Sequence, residues 1–157
     1  MKNFLFILFF LIAQFGLAQS ELKTIDSLKK ELKKTPSETS RVKLQNKLFE
    51  AYIDFGKTDS IFPYLKKNYL LAKKNDLGLE ISNAELLIAY CFDNQSNYDS
   101  AIVYYEKALA GFRLLNDEGR VADVIKSLAT AYLYAANYEK SIELYTQAFQ
   151  QYQKNKD

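Results

Sequence analysis

The sequence predicts an all-α chain whose antiparallel helix pairs stack into a solenoid. Apolar residues recur at helical spacing from Ser20 to near the C-terminus, and a segment of forty residues repeats. Only 5 Gly and 2 Pro occur among 157 residues, too few for the closely spaced turns of an all-β chain. At 48% hydrophobic and 25% charged residues, one packed core is within reach and disorder is not expected.

The first amphipathic segment, 20–34, carries Leu22, Ile25, Leu28 and Leu32 on one stripe and ends before Pro36. Thr35 reads as the N-cap of the second helix, with Pro36 at its first position and Glu38 reaching back as a capping box. Val42, Leu44, Leu48, Phe49, Tyr52 and Ile53 follow, up to a stop near Gly56. Ser60 can cap the third helix, which places Pro63 in a first turn where the missing N–H costs nothing. Leu65, Tyr69, Leu70 and Ala72 continue it to Lys74, and Asn75-Asp76-Leu77-Gly78 breaks the chain. A fourth helix spans about 79–95, and Asn97-Tyr98-Asp99 opens a fifth that lasts to about Leu115. After a break at Asn116-Asp117-Glu118-Gly119, two last helices divide at Ala136-Asn137, for seven helices and no strand.

Self-similarity organises these elements. Asn97-Tyr98-Asp99 returns as Asn137-Tyr138-Glu139, forty residues on. Ala101, Ile102, Tyr105, Ala108 and Phe112 return as Ser141, Ile142, Tyr145, Ala148 and Tyr152. Upstream of each turn, Ile88-Ala89 and Phe92 match Leu128-Ala129 and Tyr132. Gly78 and Gly119 are forty-one apart, which implies one residue of slack. The small residues mark where paired helices approach closely, and the large ones between them fill the grooves. Two helices per fixed unit of this length mean a solenoid.

An apolar–small pair, an aromatic three residues after the small one, an aromatic at the turn, then small–aromatic–small down the second helix resembles a tetratricopeptide repeat. The resemblance implies a right-handed solenoid of about three repeats after an N-terminal helix. The units would be 36–75, 79–116 and 119–156, longer than the family's usual repeat. The first is degenerate: Phe49, Ile61 and Asn68 stand where the others carry small residues. The resemblance also implies that first helices line a concave groove for an extended peptide or partner helix. The groove residues would be Lys43, Asn46, Glu50 and Ile53 from the degenerate unit, and Asn83, Leu86, Tyr90, Asp93 and Asn94 from the second. The third would give Asp123, Lys126, Thr130, Leu133 and Tyr134. Asp93 and Asp123 oppose Lys126, which argues against a basic clamp for a terminal carboxylate.

Composition narrows the chemistry. The chain has no His, hence no histidine general base or ligand, and its one Cys, Cys91, sits between Tyr90 and Phe92 as a core residue would. Asp93-Asn94-Gln95 lacks the glycine and ligand spacing of a calcium loop, and no glycine-rich phosphate loop occurs. No catalytic residue, metal ligand or small-molecule cofactor is assigned. A net charge of +2 is not that of a nucleic-acid binder, and Lys29, Lys30, Lys33 and Lys34 read as a solvated helix face. The expected partner is a protein or peptide.

Residues 1–18 read as a secretory signal peptide: Lys2, an apolar run from Phe4 to Ala13, and small residues at Gly16 and Ala18. Export to a bacterial periplasm or cell envelope is the expectation, with no Cys after the cleavage point to take a lipid. At the other end Ile142, Tyr145, Phe149 and Tyr152 form a stripe that no further capping helix follows in the sequence, so the expectation is either self-association through this helix or a chain that is a fragment of something longer. Two readings result: a free-standing envelope interaction module, or the N-terminal sensor segment of a membrane-bound histidine kinase or transcriptional regulator.

Overall fold

The computed structural model describes residues 22–54 and 58–155. The expected leader, the stop near Gly56 and the end at Lys156-Asp157 lie outside the described residues. The rest is α1 (22–34), α2 (Glu38–Asp54), α3 (Thr58–Lys74), α4 (Gly78–Asn94), α5 (Tyr98–Leu114), α6 (Glu118–Tyr134) and α7 (Tyr138–Lys154), with no strand among the described residues. Each helix from α2 to α7 is 17 residues long. They start at 38, 58, 78, 98, 118 and 138, so the repeat is forty residues, halved evenly, and has no slack. Gly78 and Gly119 are neighbours in register rather than equivalents; Glu118 is the partner of Gly78.

The even spacing has a backbone cause. Asp76, Ser96, Asn116 and Ala136 all have positive φ, between 52° and 60°. At each, the amide reaches back three residues: Asp76 to Lys73, Ser96 to Asp93, Asn116 to Arg113 and Ala136 to Leu133. The following amide reaches back five: Leu77 to Ala72, Asn97 to Phe92, Asp117 to Phe112 and Asn137 to Tyr132. These paired bonds form a Schellman stop, which satisfies carbonyls the helix leaves unpaired. The side chains of Asn97, Asp117 and Asn137 then accept from the amides of Ser100, Arg120 and Lys140 and cap the next helix. One three-residue turn thus ends one helix and starts its antiparallel neighbour.

Two helix starts differ from expectation. Ser37, not Thr35, caps α2, accepting from the Ser40 amide at 3.4 Å. Thr35 instead donates its hydroxyl to the Glu31 carbonyl, because Pro36 holds the preceding residue out of helical geometry and residues 35–37 become linker. Helix α3 begins at Thr58 rather than after Ser60, which moves the exposed Pro63 out of the first turn. The twenty-residue register, set by packing between pairs, overrides the local capping signal there.

Tight hairpins α4–α5 and α6–α7 are joined by α5–α6, while α2 packs on both α3 and α4. Ala89, Ala101, Ala108, Ala129 and Ala148 are all buried, as are Tyr105 and Phe112. Burying each of these aromatics contributes roughly 2–3 kcal/mol. α4 and α5 approach closely at Gly111, where an added Cβ would collide with the Ser82 side chain. In the degenerate unit Phe49, Ile61 and Asn68 are buried at the small-residue positions. The larger bodies are accommodated by a polar joint: Asn68 Nδ2 donates to Val42 O and Asn46 Oδ1, and Asn46 Nδ2 donates to the backbone and carboxylate of Glu80.

Candidate peptide-binding groove

The first helices α2, α4 and α6 all line one wall, with α2 packed on α4 and α6 tied to α4 through Arg120 and Asn83. A hollow of about 500 Å³ is lined by Lys43, Asn46, Lys47 and Glu50 of α2, by Leu79, Glu80, Asn83, Leu86, Leu87 and Tyr90 of α4, and by Arg120 and Asp123 of α6. Beside it a second, of about 370 Å³, is lined by Glu50, Ile53, Leu87, Tyr90, Asp93 and Asn94. Tyr90 borders both. Its ring packs edge-on against buried Tyr105 with centroids 5.6 Å apart, so a rigid core residue holds it in place.

Of the ten residues assigned to the second and third units, Asn83, Leu86, Tyr90, Asp93, Asn94 and Asp123 meet in these two hollows. Lys43, Glu50 and Ile53 of the degenerate unit do as well, while Asn46 forms floor rather than wall, buried and bonded to Glu80. Lys126, Thr130, Leu133 and Tyr134 line neither. The Thr130 hydroxyl shares a hydrogen bond with Tyr145 at 2.8 Å, and Tyr134 stacks on Tyr98 at 5.3 Å. Lys47, Leu79 and Arg120 also line it and were not expected. Arg120 is the counterpart of Glu80, one turn before Asp123, and the expected groove began one turn later in both units, at Asn83 and Asp123.

Charges of both signs line the groove: Lys43, Lys47 and Arg120 together with Glu50, Glu80, Asp93 and Asp123. Arg120 hydrogen-bonds Asn83, lies 5.3 Å over the Phe112 ring and pairs with Asp117 at 3.5 Å, so α6 is fastened across α4 and α5. Asp123 accepts from Tyr152, whose phenol burial and this bond push up to about 12. Burial likewise raises the Asp93 carboxyl above its ordinary value, although the Tyr105 hydroxyl donated to it at 3.3 Å pulls the other way. Tyr105 is raised too, by burial first and by the nearby Asp93 second. Outside the groove, burial raises Glu85 against the bond from Tyr69, and Tyr69 itself is pushed up to about 12. These phenols remain donors at neutral pH and hold the carboxylates in fixed orientations.

No cluster of three or more His, Cys, Asp or Glu able to hold a metal occurs among the described residues. What the surface offers is a preformed concave strip of aromatic, amide and charged side chains. Such a strip binds by shape and hydrogen bonding rather than by chemistry at a reacting bond.

Two family models match the chain. The one described as "Tetratricopeptide repeat" covers residues 80–154, and the one described as "SusR N-terminal TPR domain" covers residues 17–96. No curated protein matches the sequence. Among solved structures, the TPR domain of Arabidopsis FLU is 15% identical with a TM-score of 0.69, over 75% of this chain and 99% of that one. The apo form of RapI is 15% identical with a TM-score of 0.78, over 91% of this chain and 53% of that one. A Rap protein complexed with competence and sporulation factor is 20% identical with a TM-score of 0.64, over 71% of this chain and 31% of that one. The chain therefore spans about half of RapI and a third of the Rap complex protein. At these identities the likeness is one of fold. With the repeat period, the Schellman turns and the family matches in agreement, the chain belongs to the tetratricopeptide-repeat family, of the SusR N-terminal TPR domain kind.

Proposed function

We propose that the chain captures an extended, partly polar peptide or a partner helix in the concave groove between α2, α4 and α6, in the bacterial cell envelope. The observation that carries this is Tyr90, exposed to both hollows, backed by buried Tyr105 and flanked by Asn83 and Asp93. An aromatic anchor with fixed polar neighbours is the usual composition of a binding hot spot. A Rap protein of similar fold was crystallised with competence and sporulation factor, which supports a ligand-binding reading. Residues 1–18, with their charged start, apolar run and small-residue end, support export.

A second reading has an observation of its own. The matching family is described as an N-terminal domain, which favours a sensor segment at the head of a longer signalling protein such as a membrane-bound kinase or transcriptional regulator. In both readings the groove does the binding.

The test is comparative capture from envelope extract by the wild-type chain and by Tyr90→Ala with Asn83→Ala. Loss of the captured partner with an unchanged melting curve supports the groove; undiminished capture places the site elsewhere. Mass analysis of the exported protein should begin at Gln19, and an intact Met1 would count against the leader.

A further inference from the structure

The overall charge of +2 conceals a segregation. Residues 22–74 hold twelve Lys and one Arg against six acidic residues, a net +7, while residues 75–157 hold seven basic against twelve acidic, a net −5. Within the basic part the excess falls on two helices. α1 has five Lys against Asp26 and Glu31, and α3 has four Lys against Asp59, so each carries +3. Between them α2, which lines the groove, is neutral, with three charges of each sign. No residue of α3 lines either hollow. Lys33-Lys34 and Lys73-Lys74 are forty residues apart, so α1 holds the same place in the repeat as α3, α5 and α7. The two later helices, α5 and α7, are neutral.

Helix α3 packs on α2 and α4, with Ile61, Leu65, Asn68 and Ala72 buried. Pro63, Lys67, Leu70 and Lys74, at i, i+4, i+7 and i+11, run down the opposite side, and all are exposed. Leu70 is 65% exposed and Tyr64, beside the row, 66%. Lys66 and Lys73 flank it, over the rings of Phe62 and Tyr69 at 4.5 and 5.5 Å. Among the described residues the ion pairs are Arg120–Asp117 and Lys140–Glu143, so no carboxylate neutralises the α3 lysines at ion-pair distance. A face kept only for solubility mixes both signs and does not set Leu and Tyr among its lysines.

We propose that the outward side of α3, with the lysines of α1, is a basic face that lies on an anionic phospholipid surface. The ammonium groups meet lipid phosphates, and Leu70 and Tyr64 enter the headgroup layer. No described helix is long and apolar enough to cross a membrane, so the contact is peripheral. A nucleic acid is the poorer fit. Its recognition favours Arg, of which this part has one, and it gives Leu70 and Tyr64 no apolar layer to enter. Because α3 lines no part of the groove, both surfaces can be occupied at once.

The test uses the full chain with vesicles of phosphatidylcholine alone or mixed with phosphatidylglycerol. Binding is expected only to the anionic vesicles, and it should fall as salt rises. Lys67→Gln with Lys74→Gln should weaken it by about tenfold or more with an unchanged melting temperature. The same loss of charge on α7, Lys140→Gln with Lys154→Gln, should leave it unchanged. The chain has no Trp, so Leu70→Trp supplies a single reporter. Its emission should shift to the blue on anionic vesicles, whereas that of Ile142→Trp, similarly exposed on α7, should not. No binding, equal binding to both vesicles, equal loss from the α3 and α7 variants, or no shift from Leu70→Trp overturns the proposal. So does tighter binding to a DNA duplex than to vesicles at the same salt. An oligomer of the free chain that Lys67→Gln with Lys74→Gln dissolves also overturns it, because the occupant is then a second copy.

Discussion

Ala136 holds φ at 60°, in the one backbone region that an L side chain enters at a cost of about 1–2 kcal/mol. Asp76, Ser96 and Asn116 do the same job, but Asp and Asn tolerate the left-handed region better than Ala. Ala136→Gly should therefore stabilise the chain. Glycine's greater freedom in the unfolded chain offsets part of the relief, leaving a net gain of about 0.5–1 kcal/mol by urea denaturation. Asn116→Gly should gain less. Asp93 makes a different residue-scale prediction. Its carboxyl is raised in the folded protein by burial, so the folded state holds the proton more tightly than the unfolded state does. Stability from this group is fully present below the ordinary carboxylate value and is lost as pH rises through the raised one. Asp93→Asn keeps an acceptor for Tyr105 without the charge. Its melting temperature should exceed the wild type's at neutral pH and converge on it near about pH 3; equal curves at all pH values would rule out the desolvation account.

At the scale of elements, α4 and α5 approach so closely at Gly111 that side-chain volume there is limited by Ser82. Gly111→Ala gains helix propensity of about 1 kcal/mol but forces the helices apart, at a cost of about 1–3 kcal/mol. A net loss is expected. Ser82→Ala in the same chain should recover part of it, since the nearest obstructing atom is the Ser82 hydroxyl; the coupling is read from a double-mutant cycle. The helices themselves were legible because apolar spacing and the forty-residue recurrence are local facts of sequence. The even half-period was not, for a physical reason. Schellman turns normally announce themselves by glycine, and here the left-handed positions are Asp76, Ser96, Asn116 and Ala136, while Gly78 and Gly119 lie inside helices. The visible glycines therefore suggested a slack that the backbone does not have. Six of the ten residues assigned to the second and third units do meet in the hollows. The four that do not, Lys126, Thr130, Leu133 and Tyr134, sit on α6, where α7 draws Thr130 toward Tyr145.

Over the whole molecule the array is one-dimensional: each pair touches only its neighbours, so stability is a sum of unit and interface contributions. Those contributions are unequal. The α4–α7 half shares one large core of alanine and aromatic contacts. At the α2–α3 end, Asn46, Asn68 and Glu80 form a buried polar joint in which the Asn68 Oδ1 has no hydrogen-bond partner among the described residues. A buried acceptor left unpaired costs about 1–3 kcal/mol. Native-state hydrogen exchange should accordingly show the lowest protection in α2 and α3 and the highest in α4 through α6. Asn46→Leu, which places there the residue found at the equivalent Leu86, removes the amide that donates to the Glu80 backbone and carboxylate and strands a buried carboxylate. Charged acceptors deprived of their donor cost about 1.5–3 kcal/mol, so α2 and α3 should open as a separate unit while α6 and α7 keep wild-type protection. Uniform loss of protection along the whole chain would show instead that the array unfolds as one cooperative body. The consequence for binding follows from where the groove lies. Lys43, Lys47 and Glu50 form its α2 wall, so opening this end removes one side of the groove, and a ligand held between α2 and α4 must stabilise α2 and α3 in turn.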